Sequence, residues 1–178
     1  MVGSLFRFAA AALFATALAG CATSSDIRVS DYPASGARIE QPDTPKQCVA
    51  YARTRSGLQL HGDANTWWAK AEGRYARGST PRLGAVIVLT GYARDGRNHL
   101  GVVSSLISDR EIRIDHANWF DDGNIYLDNP VLDVSSGNDW SAVRVWNAHT
   151  GAWGGRIYQV QGFIGPDPAP ETEQLALY

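Results

Sequence analysis

Two runs of residues, HLGVVSSLIS (99–108) and EIRIDHANW (111–119), flank a short polar turn and constrain the chain more than any other feature. Each is rich in β-branched and apolar residues, and together they predict a β-hairpin turning around Ser108, Asp109 and Arg110. A tight turn there pairs residues whose numbers sum to about 217–219, which fixes which side chains meet across the ribbon. His99 then faces the neighbourhood of His116 and Asn118. On the second strand Ile112, Ile114, His116 and Asn118 share one face, while Arg113 and Asp115 share the other. The isoleucines mark the first face as the core side, so two histidines are expected to approach each other at one end of a buried sheet.

The same reading extends along the chain. PRLGAVIVL (81–89) is a core strand, and GYARDGRN (91–98) is a turn-rich connection with Asp95-Gly96 as its tip. NIYLD (124–128), WSAVRVWN (140–147) and RIYQVQGFI (156–164) complete about six antiparallel strands. Two helices precede them. The first has Thr44 as N-cap, Pro45 in the first turn, Gln47 completing a capping box and Gly57 as a stop. The second is expected over NTWWAKAEGRYA (65–76). The fold class that follows is α+β, N-terminal helices packed on an antiparallel sheet.

The ends read differently. Residues 1–20 join one basic residue, Arg7, to an apolar run and small residues, the pattern of an export signal. Leu18-Ala19-Gly20-Cys21 resembles a bacterial lipobox, which implies cleavage before Cys21 and lipidation of its thiol. Ala22 lacks the aspartate that marks inner-membrane retention, so the expected location is the outer membrane, facing the periplasm. Residues 21–44 read as lipidated cysteine and tether, 45–165 as the folded domain, and 166–178 as a disordered tail. The formal net charge of −2 gives no reason to expect nucleic acid as a partner. Oligomeric state is not legible.

With Cys21 consumed by lipid, Cys48 is the one thiol of the mature chain. Its place in the first turn of a helix favours a thiolate and suits a nucleophile; burial as a small hydrophobe is the alternative. A cysteine nucleophile needs a base and a group to orient it. Of the four histidines, His61 lies in a loop and His149 in a glycine-rich turn, which leaves His99 and His116. A zinc site built from Cys48, His99 and His116 lacks the usual ligand spacings, and no metal or other cofactor is expected.

Four pieces, QCVAYAR (47–53), PRLGAVIVL, NHLGVV (98–103) and IDHANW (114–119), together resemble the CHAP domains, cysteine- and histidine-dependent amidohydrolases and peptidases. RIYQVQGFI is similar to the closing strand of that family. The resemblance implies a papain-like fold and cleavage of amide bonds in cell-wall peptidoglycan. It assigns Cys48 as nucleophile, His99 as base, and His116 with Asn118 as the residues holding the base. The family's glutamate falls on His116 here, an arrangement similar to NlpC-type peptidases; Asp115 is the alternative orienting residue, reached only through a bulge. Trp119, beside the site, is a candidate for substrate contact. The expected partners are peptidoglycan peptides and, through Cys21, a membrane. The rival reading is a catalytically silent lipoprotein that keeps the fold and binds peptidoglycan. An amidase acting on a small thiol–polyamine conjugate fits poorly with export.

Overall fold

Strands β3 (Val86–Thr90) and β4 (His99–Leu106) carry buried residues on both faces, so neither face can be left to water and two cores grow from them. The computed structural model describes residues 27–32, 36–93 and 95–168. The expected export signal, Cys21 and residues 169–178 of the expected tail lie outside the described residues, while residues 166–168 of that tail belong to a strand that ends at Pro168.

The other strands are β1 (Arg38–Glu40), β2 (Tyr75–Gly78), β5 (Glu111–Ala117), β6 (Ile125–Asp133), β7 (Ala142–Asn147), β8 (Ala152–Trp153) and β9 (Tyr158–Pro168). Neighbours run β6-β5-β4-β3-β9-β7, and β7 pairs again with β6 through Val131, Leu132 and Asp133. The sheet therefore closes into a six-stranded barrel. β1 adds to β6, β2 to β9 and β8 to β7.

This corrects the expected α+β, papain-like layout. Among the described residues the structure is mostly β, with 39% strand and 14% helix, and its sheet is a closed barrel. Two local features explain the difference. The predicted second helix shrinks to a 3-10 turn, Ala64–Thr66, and a four-residue helix α2, Trp67–Lys70. Gly73, at φ 68°, then turns the chain into β2. In addition, NIYLD does not stop at Asp128. Asp128 adopts φ 50° within a β-bulge, and β6 continues through Pro130 to reach β7.

Inside the barrel, Ile87, Leu89, Val103, Ile112, Ile114, Val131, Val143 and Phe163 pack together. Outside the β3–β4 wall, Val86, Val88, Leu100 and Val102 meet Ala52, Leu58, Leu60, Trp67 and Ala71 from the helical segment. Alternation along each strand thus assigns one face to each core. Trp68 lies against β9 at Gly162, where an added Cβ would sit 2.4 Å from the indole. Glycine there lets the ring approach the sheet and also tolerates the φ of 145°.

The hairpin of β4 and β5 has the register expected of it. Gly101 lies opposite His116, Val103 opposite Ile114 and Leu106 opposite Ile112, with one shift near Ser105. This hairpin brings the histidines together.

Candidate active site

The helix carrying Cys48, α1, runs Cys48–Ser56. Gln47 is its N-cap in an extended conformation, and the expected Thr44–Gln47 capping box does not form, since no side chain caps the helix. Pro45 instead packs on Gly123, whose carbonyl accepts the Lys46 N–H at 2.9 Å. The helix ends as predicted: Gly57, at φ 78°, donates its N–H to the Arg53 carbonyl at 2.9 Å. Cys48 is therefore the first helical residue, among N–H groups that the helix itself leaves unpaired.

The sulfur lies half-buried and unpaired in any disulfide. Burial pushes its thiol up from the ordinary cysteine value, against the opposing pull of the backbone N–H groups of Leu100, Val49 and Cys48 and the charge of Arg97. The first-turn position was expected to favour thiolate; desolvation outweighs it. The Leu100 amide is the informative contact, because Leu100 follows His99 on β4. It places the sulfur against the start of the strand that bears the base.

His99 and His116 are buried inside one end of the barrel, and His99 Nε2 lies 2.9 Å from His116 Nδ1. Their rings meet edge to face, with centroids 5.1 Å apart. Burial drives both imidazoles well below the ordinary histidine value, the proximity of His116 adding to the effect on His99. Both are neutral at pH 7, which leaves each ring one lone pair to accept a proton.

The aromatic walls explain that burial. Trp119 is buried, and its ring centroid lies 4.7 Å from that of His99 and 5.2 Å from that of His116. It closes the histidine pair from behind and is largely removed from solvent. Tyr92, from the β3–β4 connection, lies 4.8 Å from both His99 and Trp119, centroid to centroid. Its hydroxyl donates to the Trp119 carbonyl. Sequence reading did not single out Tyr92, which sits in a turn-rich stretch whose period says nothing about direction.

Two expected helpers sit elsewhere. Asp115 faces out of the barrel, where Arg55 of α1 donates to its Oδ2 at 2.8 Å and the Asp128 N–H donates to its Oδ1 at 2.9 Å. It ties α1 to β5. Asn118, at φ 61°, bonds neither imidazole in the way expected of it. Its Nδ2 donates to Gln47 Oε1 at 3.0 Å, and its Oδ1 accepts the Gly123 N–H at 2.7 Å. Asn118 shapes the 118–124 turn and fastens it to the residue before the cysteine.

The residue that does touch His116 is Asn129. Its Nδ2 lies 3.0 Å from His116 Nε2 and 3.2 Å from the Trp146 carbonyl. The β5–β6 register shifts between Ile114, opposite Asn129, and His116, opposite Tyr126. The bulge at Leu127–Asp128 turns Asn129 inward. A strand expected to end at Asp128 gave no reason to look one residue further.

Comparison with known proteins gives one match. The model of the CHAP domain family matches residues 40–118, a span from β1 through α1 to the end of β5 that includes Cys48, His99, His116 and Asn118. No curated protein and no solved structure matches the chain.

Proposed function

We propose that this protein is a cysteine-dependent peptidoglycan hydrolase, an amidase or peptidase whose nucleophile is Cys48 and whose base is His99. The CHAP match supports hydrolysis of an amide bond in the cell wall. The observation that carries the assignment of roles is the convergence of three elements. The first turn of α1 presents the sulfur to the Leu100 amide, and the preceding residue, His99, is bonded to His116 at 2.9 Å.

The chemistry follows from the protonation states. A raised thiol and a neutral imidazole make a neutral resting pair, so the proton leaves sulfur as sulfur attacks. The S–C bond forms at the amide carbonyl while His99 accepts the thiol proton. Collapse breaks the C–N bond, and His99 returns that proton to the departing amine. Water then attacks the thioester with His99 again as base, releasing a carboxylic acid and restoring the thiol. His116 holds the far nitrogen of His99. The backbone N–H groups at the start of α1 suit the oxyanion, and one such donor is worth about 3 kcal/mol of barrier. Gln47 adds a second kind of donor: Asn118 occupies its Oε1, which orients its Nε2 away from Asn118.

In this reading Cys21 carries the lipid and holds the enzyme at the outer membrane, with the wall within reach of the tether. The mass of the mature N-terminus tests that part directly. The hydrolase itself is tested by assaying Cys48→Ser and His99→Ala separately on purified sacculi. Both abolish fragment release, and retention of activity in either rejects the scheme. One observation favours the silent, wall-binding alternative: burial disfavours the thiolate. Sacculus binding with no released fragments, by wild-type protein, would establish that alternative.

A further inference from the structure

We infer that Asn129 is a positioning residue that decides which nitrogen of His116, and through it of His99, carries the proton. The inference rests on the proposed Cys48–His99–His116 site and extends it by one residue.

The argument starts from a carbonyl. The Trp146 oxygen has no hydrogen to give, so the atom 3.2 Å from it on Asn129 must be the amide nitrogen, not the oxygen. That sets the orientation of the side chain in the resting site. The same Nδ2 then directs its second hydrogen at His116 Nε2, 3.0 Å away, which must accept. A neutral imidazole has one proton, so that of His116 is on Nδ1. From there it is donated to His99 Nε2 at 2.9 Å. The proton of His99 is in turn confined to Nδ1, the nitrogen turned away from His116, so this is a resting setting, and the base chemistry proposed for His99 requires the opposite one.

This setting has a cost, visible on the same residue. Asn129 is fully buried and its Oδ1 has no hydrogen-bond partner. An orphaned buried acceptor of that kind is destabilising. Turning the amide over gives up the bond to the Trp146 carbonyl and offers Oδ1 to a proton on His116 Nε2. His116 Nδ1 would then accept from His99 Nε2, and Nδ1 of His99 would present a lone pair. Asn129 therefore has two hydrogen-bonding settings, and they impose opposite proton positions along the pair. The other groups around His116 are His99 from β4, Tyr126 from β6, and Trp119 and Asp122 from the turn after β5. Among the contacts described for the His116 ring nitrogens, those to His99 and Asn129 alone are hydrogen bonds.

The test is the nitrogen-15 spectrum of the histidines in the full chain, with His61→Gln and His149→Gln used to assign signals. Wild type is expected to show His116 and His99 as Nδ1–H tautomers. In Asn129→Asp, whose carboxylate only accepts, both move to Nε2–H. In Asn129→Leu, similar in size and without hydrogen bonds, the preference is lost. A wild-type His116 protonated on Nε2 overturns the inference without any variant. So do tautomers that stay the same in wild type, Asn129→Asp and Asn129→Leu. These spectra are read on the resting protein. They decide the role of Asn129 even if Cys48→Ser proves active, a result that would remove the hydrolase proposal alone.

Discussion

The two sides of the β3–β4 wall are built from adjacent residues of the same strands, yet they are chemically unlike. Outside, toward the helices, Val88, Leu100 and Val102 meet Leu58, Leu60 and Trp67 in an apolar layer. Inside, one end of the barrel holds His99, His116 and Asn129 among Tyr92, Trp119 and Tyr126. His99 and Leu100 are neighbours in sequence and face opposite ways. The outer side holds the helix that carries Cys48 in place, while the inner side arranges two imidazoles that water does not reach. The difference shows how one strand can separate stability from chemistry: alternation gives each task its own face.

That separation can be broken deliberately. The largest effect belongs to Cys48→Ser, for which hydrolysis of sacculi is expected to fall at least about 10³-fold. Its urea midpoint should remain that of wild type, because the change is small and half-buried. Loss of fold alongside loss of rate would mean the sulfur belongs to the core. Leu60→Ala attacks the outer layer instead. Chemical denaturation should show a loss of about 2–5 kcal/mol, with the turnover of the folded fraction unchanged. A turnover that drops in step with stability would merge the two sides.

Acid probes the inner side alone. His99 and His116 are neutral in the fold and bind protons readily once unfolded, near pH 6.5. Between their depressed folded values and 6.5 the unfolded chain holds more protons, so stability is full above 6.5 and is lost as pH falls. Comparing urea midpoints at pH 8 and pH 5 should reveal a decrease of more than about 1 kcal/mol. A flat profile would mean that the histidines are wetter than their surroundings suggest. The smallest effect is Arg55→Ala, which releases Asp115 from α1. The guanidinium is half-exposed, so screening limits the loss to about 1 kcal/mol, measurable by thermal melting. A loss several times larger would make this pair a principal clamp on the helix.

The approach of His99 to His116 was legible in the sequence. The hairpin arithmetic worked because two periodic strands and a polar turn leave few registers, and period two then assigns His116 inward and Asp115 outward. The helix stop at Gly57 was legible for a similar reason, since a left-handed residue at that point is a local requirement. What could not be read depends on departures from period. The Asp128 bulge carries β6 past Pro130, closes the barrel and aims Asn129 at His116. Asn118 was assigned to an imidazole because it shares a face with His116, but its positive φ takes it out of the strand and toward Gln47. Tertiary contact also displaced the capping box, since Pro45 was needed against Gly123.

The edge strand β1 has a mechanical consequence. Arg38, Ile39 and Glu40 are paired to Leu127, Tyr126 and Ile125, and they precede Pro45 and Cys48 along the chain. A pull arriving from the N-terminal direction passes the Trp153 bond to the Tyr32 carbonyl and then loads these three rungs. Traction on whatever lies upstream is borne by the barrel wall before it reaches the helix that carries Cys48.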